Sequence, residues 1–593
     1  MLKSRRFPTP ALRGHRDDGQ LEINSAITGD QGVFRSLLAF RLDSGDEILR
    51  EHLENCTKNA TMISKTVQNE IIEVIHEVLV NNIVTNVKKL KYFSILCDET
   101  TDISTKEQIT FSVRYVDMEK YIIKEDFLGF TELFSTTGIS IKQVILKKLN
   151  DFGLSLANRR GQGYDGGSNM SGVHNGVQAL ILEEQPLALY THCFSHGLNL
   201  AISKACEIPA IRNMFGIVGS VSVFLSSSAK RNNTLIRVIS NDSTESHPNK
   251  IKLKALCETR WVERHNSIIT FHDLYKFILI ALEELEKDSN RETSYKAANF
   301  NSSVRRSEFL VSLEIVANLF AYTKSLSIQL QSSKQDLSMA KKNIKNIIAL
   351  FNNIRENPED IFDSLFENAA KKAQMFGEKI KIPRLCGQQT QRSNIIVREP
   401  MDWFKVTIFI PFLDHIIHGL DSRFNEKFNN IIALEGLIPA NINFYDTKSV
   451  LESTKFYCED IEGSDLELKA EIHLWKNKWT NIQNNSQTAV EALEYCNEFF
   501  PNIKILLQIF TTLPVSTATA ERSFSTLRRL KNYLRSTMSE VRLNGLAMLN
   551  IHKEIDINQV VDTFAQKKKR RMELEDWSKL SKNCYLFLLI DFI

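Results

Sequence analysis

A change of hydrophobic period near residue 92 constrains the fold of this chain more than any other feature. From Gln68 to Leu90 the apolar residues recur at helical spacing. Tyr92–Cys97 is then an apolar run with the length of a buried strand, and from Ile109 to Tyr115 apolar and polar residues alternate. Alternation with a period of two is typical of a half-buried strand. The chain therefore combines helices with a sheet.

The strand pattern continues to about residue 200. Asp117–Lys120 predicts a turn, Tyr121–Thr131 a third strand, Ile141–Leu149 part of a helix, and 161–172 a Gly-rich loop. Leu187–Cys193 predicts a further strand. The order of three strands, a helix, a strand, a helix and a strand indicates a mixed α/β core.

The rest of the chain is mostly helical. About 300 residues of helical pattern separate this core from a second helical segment that begins near residue 501, a spacing typical of a large insertion. The predicted regions are a partly disordered helical N-terminal region at 1–90, the first part of the core at 91–200, a helical insertion at 201–500, C-terminal core helices at 501–566, and a basic run with an atypical tail at 567–593.

Composition excludes several classes of protein. The 593 residues are 43% hydrophobic and 24% charged, which allows large cores, and a net charge of +3 does not by itself indicate nucleic acid. The nine cysteines form no C-x-x-C pair, so we expect neither disulfides nor a conventional zinc finger. The N-terminus lacks the apolar segment of a signal peptide, and the longest apolar run, Tyr585–Ile593, is too short to cross a bilayer. We therefore expect no membrane partner.

Two aspartates are candidate ligands for a hard cation. Asp98 follows the first predicted strand, and Asp165 lies in the Gly-rich segment at 161–172. Carboxylates at strand ends suit Mg²⁺, and two such ions can promote phosphodiester cleavage. The alternative is that both residues form turns or cap helices, which acidic residues after strands commonly do. Spacing alone favours this alternative.

Three further segments have open interpretations. Cys193 and His196 have a zinc-like spacing but are only two ligands, so a buried thiol and a hydrogen-bonded histidine are the default. Trp261 is either a core residue or, beside Arg260, a residue that stacks on an exposed base. Glu521 follows a run of small residues at a predicted helix start and indicates no chemistry by itself.

Taken in order, the motifs carry a resemblance that none carries alone. The sequence resembles the hAT superfamily of transposases, and most closely the branch of zinc finger MYM-type protein 1. The segment at 381–394 (KIPRLCGQQTQRSN) also resembles the insertion of that branch. The segments that carry the resemblance, in chain order across about 90–550, are FSILCDETTD, GQGYDGGSNMSG, HCFSHGLNLA, ETRWVER and P-x-S-x-x-x-x-E-R-x-F-S.

The resemblance implies a fold and a set of site residues. It implies an RNase H-like core interrupted by a long helical insertion, which explains why Glu521 lies about 350 residues after Asp165. Asp98, Asp165 and Glu521 match the acidic catalytic triad of the family, with Mg²⁺ or Mn²⁺ as the implied cofactor.

The other matched motifs imply DNA contacts and self-association. Cys193 and His196 match the C-x-x-H motif, and Arg260 with Trp261 matches the RW motif, whose tryptophan assists DNA hairpin formation by stacking near a flipped base. The helix of Glu521 belongs to the dimerisation region of the family. The apolar stripe of Leu527, Leu530 and Leu534 is compatible with a homodimer or larger assembly, although such stripes more often pack within one domain.

Two functions from different classes follow. The first is a metal-dependent DNA transposase, in an active, truncated or inactive form, and the complete triad favours it. The second is a non-catalytic, dimerising nuclear protein, favoured because the N-terminal zinc finger of the family has no visible counterpart. The ending WSKLSKNCYLFLLIDFI also looks foreign to a helical domain.

A dense basic run predicts the location of the protein. The five consecutive cations are Lys567, Lys568, Lys569, Arg570 and Arg571. Such a run stays solvated and accessible to import receptors, which predicts the nucleus. The alternative is an ordinary basic end of a helix, where cations suit the negative end of the dipole.

Overall fold

The structure of the chain is a computed structural model that divides into two compact units. The residues it describes are 13–14, 21, 32–57, 60–241, 253, 261–384, 399–424, 432–480, 486–533 and 535–568. Unit 1 draws on residues 1–120, 124–190 and 519–593, and unit 2 draws on 121–123 and 191–518. Unit 1 therefore uses both ends of the chain, and unit 2 uses its middle.

A five-stranded mixed sheet with the order β3-β2-β1-β4-β5 is the centre of the α/β fold. The strands are β1 (Phe93–Thr101), β2 (Glu107–Asp117), β3 (Ile122–Leu133), β4 (Arg159–Tyr164) and β5 (Leu189–His192). β1 pairs antiparallel with β2 and parallel with β4, so it is the central strand, and it is buried from Phe93 to Asp98. The mixed α/β class expected from the sequence is confirmed.

Six α-helices lie among the described residues that precede β5. They are α1 (Gly32–Asp43), α2 (Glu47–Asn55), α3 (Lys65–Leu90), α4 (Gly138–Phe152), α5 (Ser168–Ser171) and α6 (Val177–Leu182). α3 begins where Ser64 accepts a hydrogen bond from the N–H of Val67. α4 ends at Gly153, whose φ of 63° is the left-handed conformation that glycine adopts without strain. The apolar faces of α3 and α4 enter the same core as the strands.

Unit 2 is helical throughout its described residues after β5. Its helices are α7 (Phe194–Ala205), α8 (Pro209–Ser226), α9 (Ala229–Ser240), α10 (Trp261–Asp273), α11 (Tyr275–Leu285), α12 (Arg291–Val304), α13 (Ser307–Leu330), α14 (Leu337–Glu356), α15 (Glu359–Gln374), α16 (Pro400–Phe404), α17 (Ile410–Phe424), α18 (Thr447–Thr454), α19 (Asp465–Thr480), α20 (Ala489–Leu493) and α21 (Pro501–Thr512). α8 and α13 have the length and hydropathy of membrane spans, but α13 carries Glu314, which is buried against Lys372. This pairing is typical of a core helix.

Three helices at the end of the described chain complete unit 1. They are α22 (Ala518–Leu530), α23 (Glu540–Ile551) and α24 (Ile557–Lys567). Asn544 of α23 pairs with the backbone of Phe130 in β3, with N–O distances of 2.7 and 2.9 Å. Phe524 and Leu527 of α22 lie in the same core as the strands. The core of unit 1 therefore requires residues from beyond position 518.

The structure changes three details of the sequence analysis. Residues 161–163 are part of β4, not of a loop, and all of β4 is buried. The units divide after residues 190 and 518, so α21, expected in the C-terminal core, belongs to unit 2, where it packs on α20. Helix α3, expected in a separate N-terminal region, packs within unit 1. Leu534, the third leucine of the expected stripe, lies outside the described residues.

Candidate active site

Asp98 lies near the carboxyl end of the central strand. It is opposite Thr110 in the antiparallel register of β1 and β2, and its exposed fraction is only 9%. The N–H of Glu99 donates to Asp98 Oδ1 at 3.0 Å. Because neighbouring residues of a strand point to opposite faces, Asp98 shares one face of β1 with Ser94 and Leu96, while Cys97 on the other face enters the apolar core. The carboxylate is therefore buried on the sheet without belonging to its apolar core.

Asp165 is the first residue after β4. The parallel register pairs Leu96 with Gly163, so two residues further along each chain Asp165 comes level with Asp98. Its side chain turns the backbone, because Oδ1 accepts the N–H of Gly167 at 3.1 Å. Tyr190 in β5 donates its hydroxyl proton to the carbonyl oxygen of Asp165 at 3.1 Å. The position of Asp165 thus follows from the pairing of two parallel strands.

Glu521 lies in the first turn of α22, which side-chain contacts hold against the sheet of unit 1. The hydroxyl groups of Ser523 and Thr110 are 3.0 Å apart, and Thr110 is the partner of Asp98 in the register. Thr519 donates a hydrogen bond to Glu125 of β3. Glu125 in turn forms a buried ion pair with Arg114 at 2.7 Å. These contacts on either side of Glu521 fix its helix over the face of the sheet that carries Asp98 and Thr110.

The electrostatics of Asp98 show that the three predicted carboxylates lie near one another. Burial raises the pKa of Asp98 well above its ordinary value, and the negative charges of Glu521 and then Asp165 raise it further. The backbone hydrogen bond from Glu99 acts in the opposite direction. Glu521 and Asp165, from distant parts of the sequence, therefore both act on the charge of Asp98, and this repulsion is a cost to the folded state.

A fourth carboxylate, not predicted from the sequence, borders this group. Glu99 Oε1 accepts a hydrogen bond from Asn169 Nδ2 at 2.6 Å, and Asn169 also donates to the carbonyl oxygen of Thr136 at 3.2 Å. Burial raises the pKa of Glu99, the bond from Asn169 lowers it, and the charge of Asp165 raises it. Asn169 lies in the same Gly-rich segment as Asp165. Its place in that segment is the one sequence feature that pointed to Asn169.

The donor chemistry of these residues fits a hard divalent cation. Carboxylate oxygens are the ligands that Mg²⁺ and Mn²⁺ prefer, and a cation would relieve the repulsion on Asp98. Among the described residues, however, no three His, Cys, Asp or Glu side chains are grouped closely enough to hold a metal alone. The site is an open group of carboxylates, which suits Mg²⁺ because this ion keeps several waters and binds substrate phosphates.

Two segments of the chain match protein families. Residues 10–176 match the family described as ZMYM1/FAM200, RNase-like domain. Residues 468–555 match the hAT family C-terminal dimerisation region. The chain is therefore similar to the ZMYM1/FAM200 family in the first segment and to the hAT family in the second. The first match contains Asp98 and Asp165 and the second contains Glu521, so the two matched segments together supply the three carboxylates.

Two relatives are similar to this chain over nearly its whole length. Both are named 52 kDa repressor of the inhibitor of the protein kinase, one from Homo sapiens and one from Mus musculus. Each is 28% identical to the chain, over 575 and 576 residues respectively, which is 95% of the chain and 75% of the relative.

The C-x-x-H motif lies in unit 2. Cys193 caps α7, because its buried sulfur accepts the N–H of His196 at 3.4 Å. The same sulfur accepts the N–H of Thr517 at 3.3 Å, and the N–H of Phe194 donates to the carbonyl oxygen of Val515 at 2.9 Å. His196 lies edge-on to His192. The thiol therefore holds the start of α7 against the segment that precedes α22.

The other two motifs are described only in part. Arg260 lies outside the described residues, and Trp261 is described only as the first residue of α10. In the basic run, Lys567 pairs with Glu73 and Glu77 of α3 at 3.2 and 3.0 Å, and Lys568 pairs with Glu70 at 2.6 Å. Lys569, Arg570 and Arg571 lie outside the described residues.

Proposed function

We propose that this chain is a DNA-acting protein derived from a hAT transposase, with an RNase H-like catalytic core in unit 1 and a helical insertion in unit 2. The observation that carries the proposal is the placement of Asp98 and Asp165 at the same level of two paired parallel strands, with α22 held to the sheet by the Thr110–Ser523 contact. The negative charges of Glu521 and Asp165, which raise the pKa of the buried Asp98, agree with this placement. Carboxylates that repel one another cost stability, so their meeting at the ends of β1 and β4 favours a role in binding cations.

The proposed reaction is metal-dependent cleavage of a DNA strand. Asp98 and Asp165 would hold Mg²⁺ or Mn²⁺ from adjacent strands, and Glu521 would complete the site from α22. The bound ions would supply activation of water and stabilisation of the leaving oxygen. The protein contributes rigidity, because Asp98 and Asp165 are fixed by strand pairing and α22 is fixed by the Thr110–Ser523 contact.

Cleavage of labelled DNA tests this proposal. The purified full chain is incubated with Mn²⁺ and duplexes that carry the ends of its own genomic element. We expect strand nicks with the wild type and none with Asp165→Asn. Asp151→Asn is the matched control, because Asp151 is an exposed aspartate on α4 of the same unit. Equal cleavage by the wild type and Asp165→Asn would remove Asp165 from the mechanism.

A second candidate function is regulation of transcription without catalysis. The names of the two relatives favour it, since both are called repressors. In that case the chain binds DNA or chromatin through the same fold but leaves the strands intact. Binding of the genomic ends in a mobility-shift assay, with no nicks in Mn²⁺ for any variant, would support regulation over cleavage.

The match to the dimerisation region supports homo-oligomerisation. We expect a mass of at least two chains in light scattering at micromolar concentration. Addition of genomic-end DNA should retain that stoichiometry, because transposase-type chemistry acts on paired ends. A strictly monomeric mass with and without DNA would contradict this part of the proposal.

Nuclear import through the basic run is the last element of the proposal. Lys567 and Lys568 already contact three glutamates of α3 in the folded chain, so the remaining cations are expected to contribute most of the signal. Replacement of all five residues 567–571 by alanine should move a tagged chain to the cytoplasm. Replacement of Lys553 and the exposed Lys455 is the control, and unchanged nuclear accumulation in the fivefold variant would exclude the run as the signal.

A further inference from the structure

Unit 2 contains a cavity of ≈ 820 Å³ that belongs to none of the motifs discussed above. Helices α8, α9, α10 and α12 line it, and its volume lies within the range of small-molecule sites. Gly216, Gly219 and Ser220 form one wall of the cavity, because residues three and four apart share a helix face. A Cβ atom added at Gly216 would meet no atom within 4 Å. The wall is therefore smooth and open.

Two arginines lie over aromatic rings beside this wall. The guanidinium carbon of Arg231 is 4.5 Å from the ring centroid of Phe224, and that of Arg264 is 4.4 Å from the ring centroid of Phe215. Arg231 is held in place, since its Nε donates to the carbonyl oxygen of Phe224 at 2.7 Å. A planar guanidinium fixed in this way offers N–H donors that match phosphate oxygens.

The charge of the lining favours an anionic ligand. Arg231, Arg264 and Lys296 face one carboxylate, Glu292, so the lining has an excess of two positive charges. Glu292 is countered by Lys296 at 2.6 Å on the same helix. The amino end of α12, capped by Asn290, also lines the cavity and adds partial positive charge.

We propose that this cavity binds one nucleotide of single-stranded DNA. Its base would lie along the smooth wall of α8 beside the two Arg–Phe pairs, and its phosphate would contact Arg231 and Arg264. Stacking surfaces combined with cations are how proteins bind single strands without reading the sequence. The choice of DNA over another anion rests on the proposed function, and Arg264 lies one helical turn after Trp261 on α10.

A variant that fills the cavity tests this proposal without removing a contact. Gly216→Trp places an indole in open space, and tryptophan has a higher helix propensity than glycine, so α8 should remain folded. Gly216→Ala is the matched control, because it leaves the cavity open. Binding of a fluorescent ten-residue oligothymidylate is measured by anisotropy with the full chain. We expect Gly216→Trp to bind at least roughly tenfold more weakly than the wild type and Gly216→Ala to bind equally.

A second pair of variants tests the charge. Arg231→Gln removes a cation from the cavity, and Arg237→Gln removes one from the same helix outside it, where Arg237 pairs with Glu284. Only Arg231→Gln should reduce the salt dependence of binding, by about 0.7 in the slope of log K against log salt for one lost phosphate contact.

The outcomes separate this proposal from the proposed function. Equal affinity of Gly216→Trp and Gly216→Ala, or no binding by the wild type, would overturn the nucleotide site whatever the cleavage assay gives. Weaker binding by Gly216→Trp supports the site even if Mn²⁺-dependent cleavage is absent. Tighter binding of the matching RNA than of DNA, with the same loss in Gly216→Trp, would overturn the assignment to DNA.

Discussion

Two buried carboxylates, one in each unit, lie in opposite electrostatic surroundings. In unit 1 the buried Asp98 experiences the negative charges of Glu521 and Asp165. In unit 2 the buried Glu314, with an exposed side-chain fraction of 3%, pairs with Lys372 and with His272. Burial alone would raise the pKa of both residues. In Glu314 the bond to His272 and the charge of Lys372 outweigh burial and lower its pKa, whereas the pKa of Asp98 rises.

The pairing of Glu314 stabilises the folded chain, whereas the carboxylates around Asp98 destabilise it. Unit 2 pairs Glu314 with cations, and unit 1 has buried pairs of the same kind, such as Arg114 with Glu125. The group at the ends of β1 and β4 in unit 1 instead places like charges near a buried carboxylate. Proteins retain buried carboxylates beside like charges mainly at functional sites, so we expect the chemistry of this chain to take place in unit 1.

The largest effect should come from breaking the neutral arrangement in unit 2. Lys372→Met leaves Glu314 buried with only His272 beside it, so the free energy of unfolding should fall by about 3 kcal/mol or more. Urea unfolding followed by tryptophan fluorescence measures this, because Trp403, Trp475 and Trp479 are buried in unit 2.

The control is an exposed pair in the same unit. Lys455→Met removes the partner of Glu452, and both side chains are about two-thirds exposed, so less than about 1 kcal/mol should be lost. Since the folded-state pKa of Glu314 is lowered, its stabilisation exists at neutral pH and is lost as the pH falls below about 4. The unfolding free energies of Lys372→Met and Lys455→Met should therefore become similar below about pH 4. Equal losses at pH 7 would contradict the comparison.

A divalent cation should stabilise unit 1 and leave unit 2 unchanged, which adds a second difference between the two units. At a concentration ten times its Kd, Mg²⁺ or Mn²⁺ should add about 1.4 kcal/mol to the unfolding free energy of the wild type. Asp165→Asn should show no gain, while Asp151→Asn should match the wild type. Calorimetric melting with and without the ion measures the effect. A gain of the same size in Asp165→Asn would place the cation elsewhere.

Neutralising Asp98 should have a smaller effect on the free energy of unfolding, and it should stabilise the chain where most substitutions destabilise it. Asp98→Asn removes the repulsion from Glu521 and Asp165, so it should stabilise unit 1 by about 1 kcal/mol. Asp117→Asn is the matched control and should destabilise the same unit, because Asp117 pairs with Lys124 at 2.8 Å. Hydrogen exchange of peptides from β1 and β4 reports both changes. Destabilisation by Asp98→Asn would show that the carboxylates are not in conflict.

The smallest effect should come from the exposed pairs between α24 and α3. Lys567→Ala removes contacts with Glu73 and Glu77, yet it should change the unfolding free energy by less than about 1 kcal/mol, and less still in high salt. Thermal melting at two salt concentrations measures this. A loss above about 2 kcal/mol would mean that the basic run is needed to hold unit 1 together.

The sequence predicted the parts of the fold whose pattern is local. Alternation located β2, the apolar run located β1, and the segment after the turn at Asp117–Lys120 located β3, each within a few residues. The fourth strand of the predicted order was not located, because Gly161 and Gly163 have low strand propensity and only their pairing with Ser94 and Leu96 makes them extended. The division of the units after residue 518 differs from the predicted boundary near residue 501, since both α21 and α22 are helical and the assignment of each to a unit depends on what it packs against.

The candidate site was predicted through resemblance and not through spacing. Asp98 and Asp165 follow strands, but nothing local links either of them to Glu521. The contacts that fix α22, between Thr110 and Ser523 and between Thr519 and Glu125, join residues about 400 positions apart. Glu99 and Asn169 form a hydrogen bond that no motif indicated.

The discontinuous build of unit 1 has a consequence for how the chain is made on the ribosome. Unit 1 begins with the first helices and strands, but Phe524, Leu527 and Met548 of its core come after residue 518. At typical rates of synthesis, the roughly 330 intervening residues take on the order of 20 to 70 seconds to emerge. During that interval the apolar residues of the sheet that share a core with α22 and α23 remain uncovered, while the residues of unit 2 emerge in one continuous stretch. Nascent chains of this protein should therefore depend on chaperones until α22 and α23 arrive.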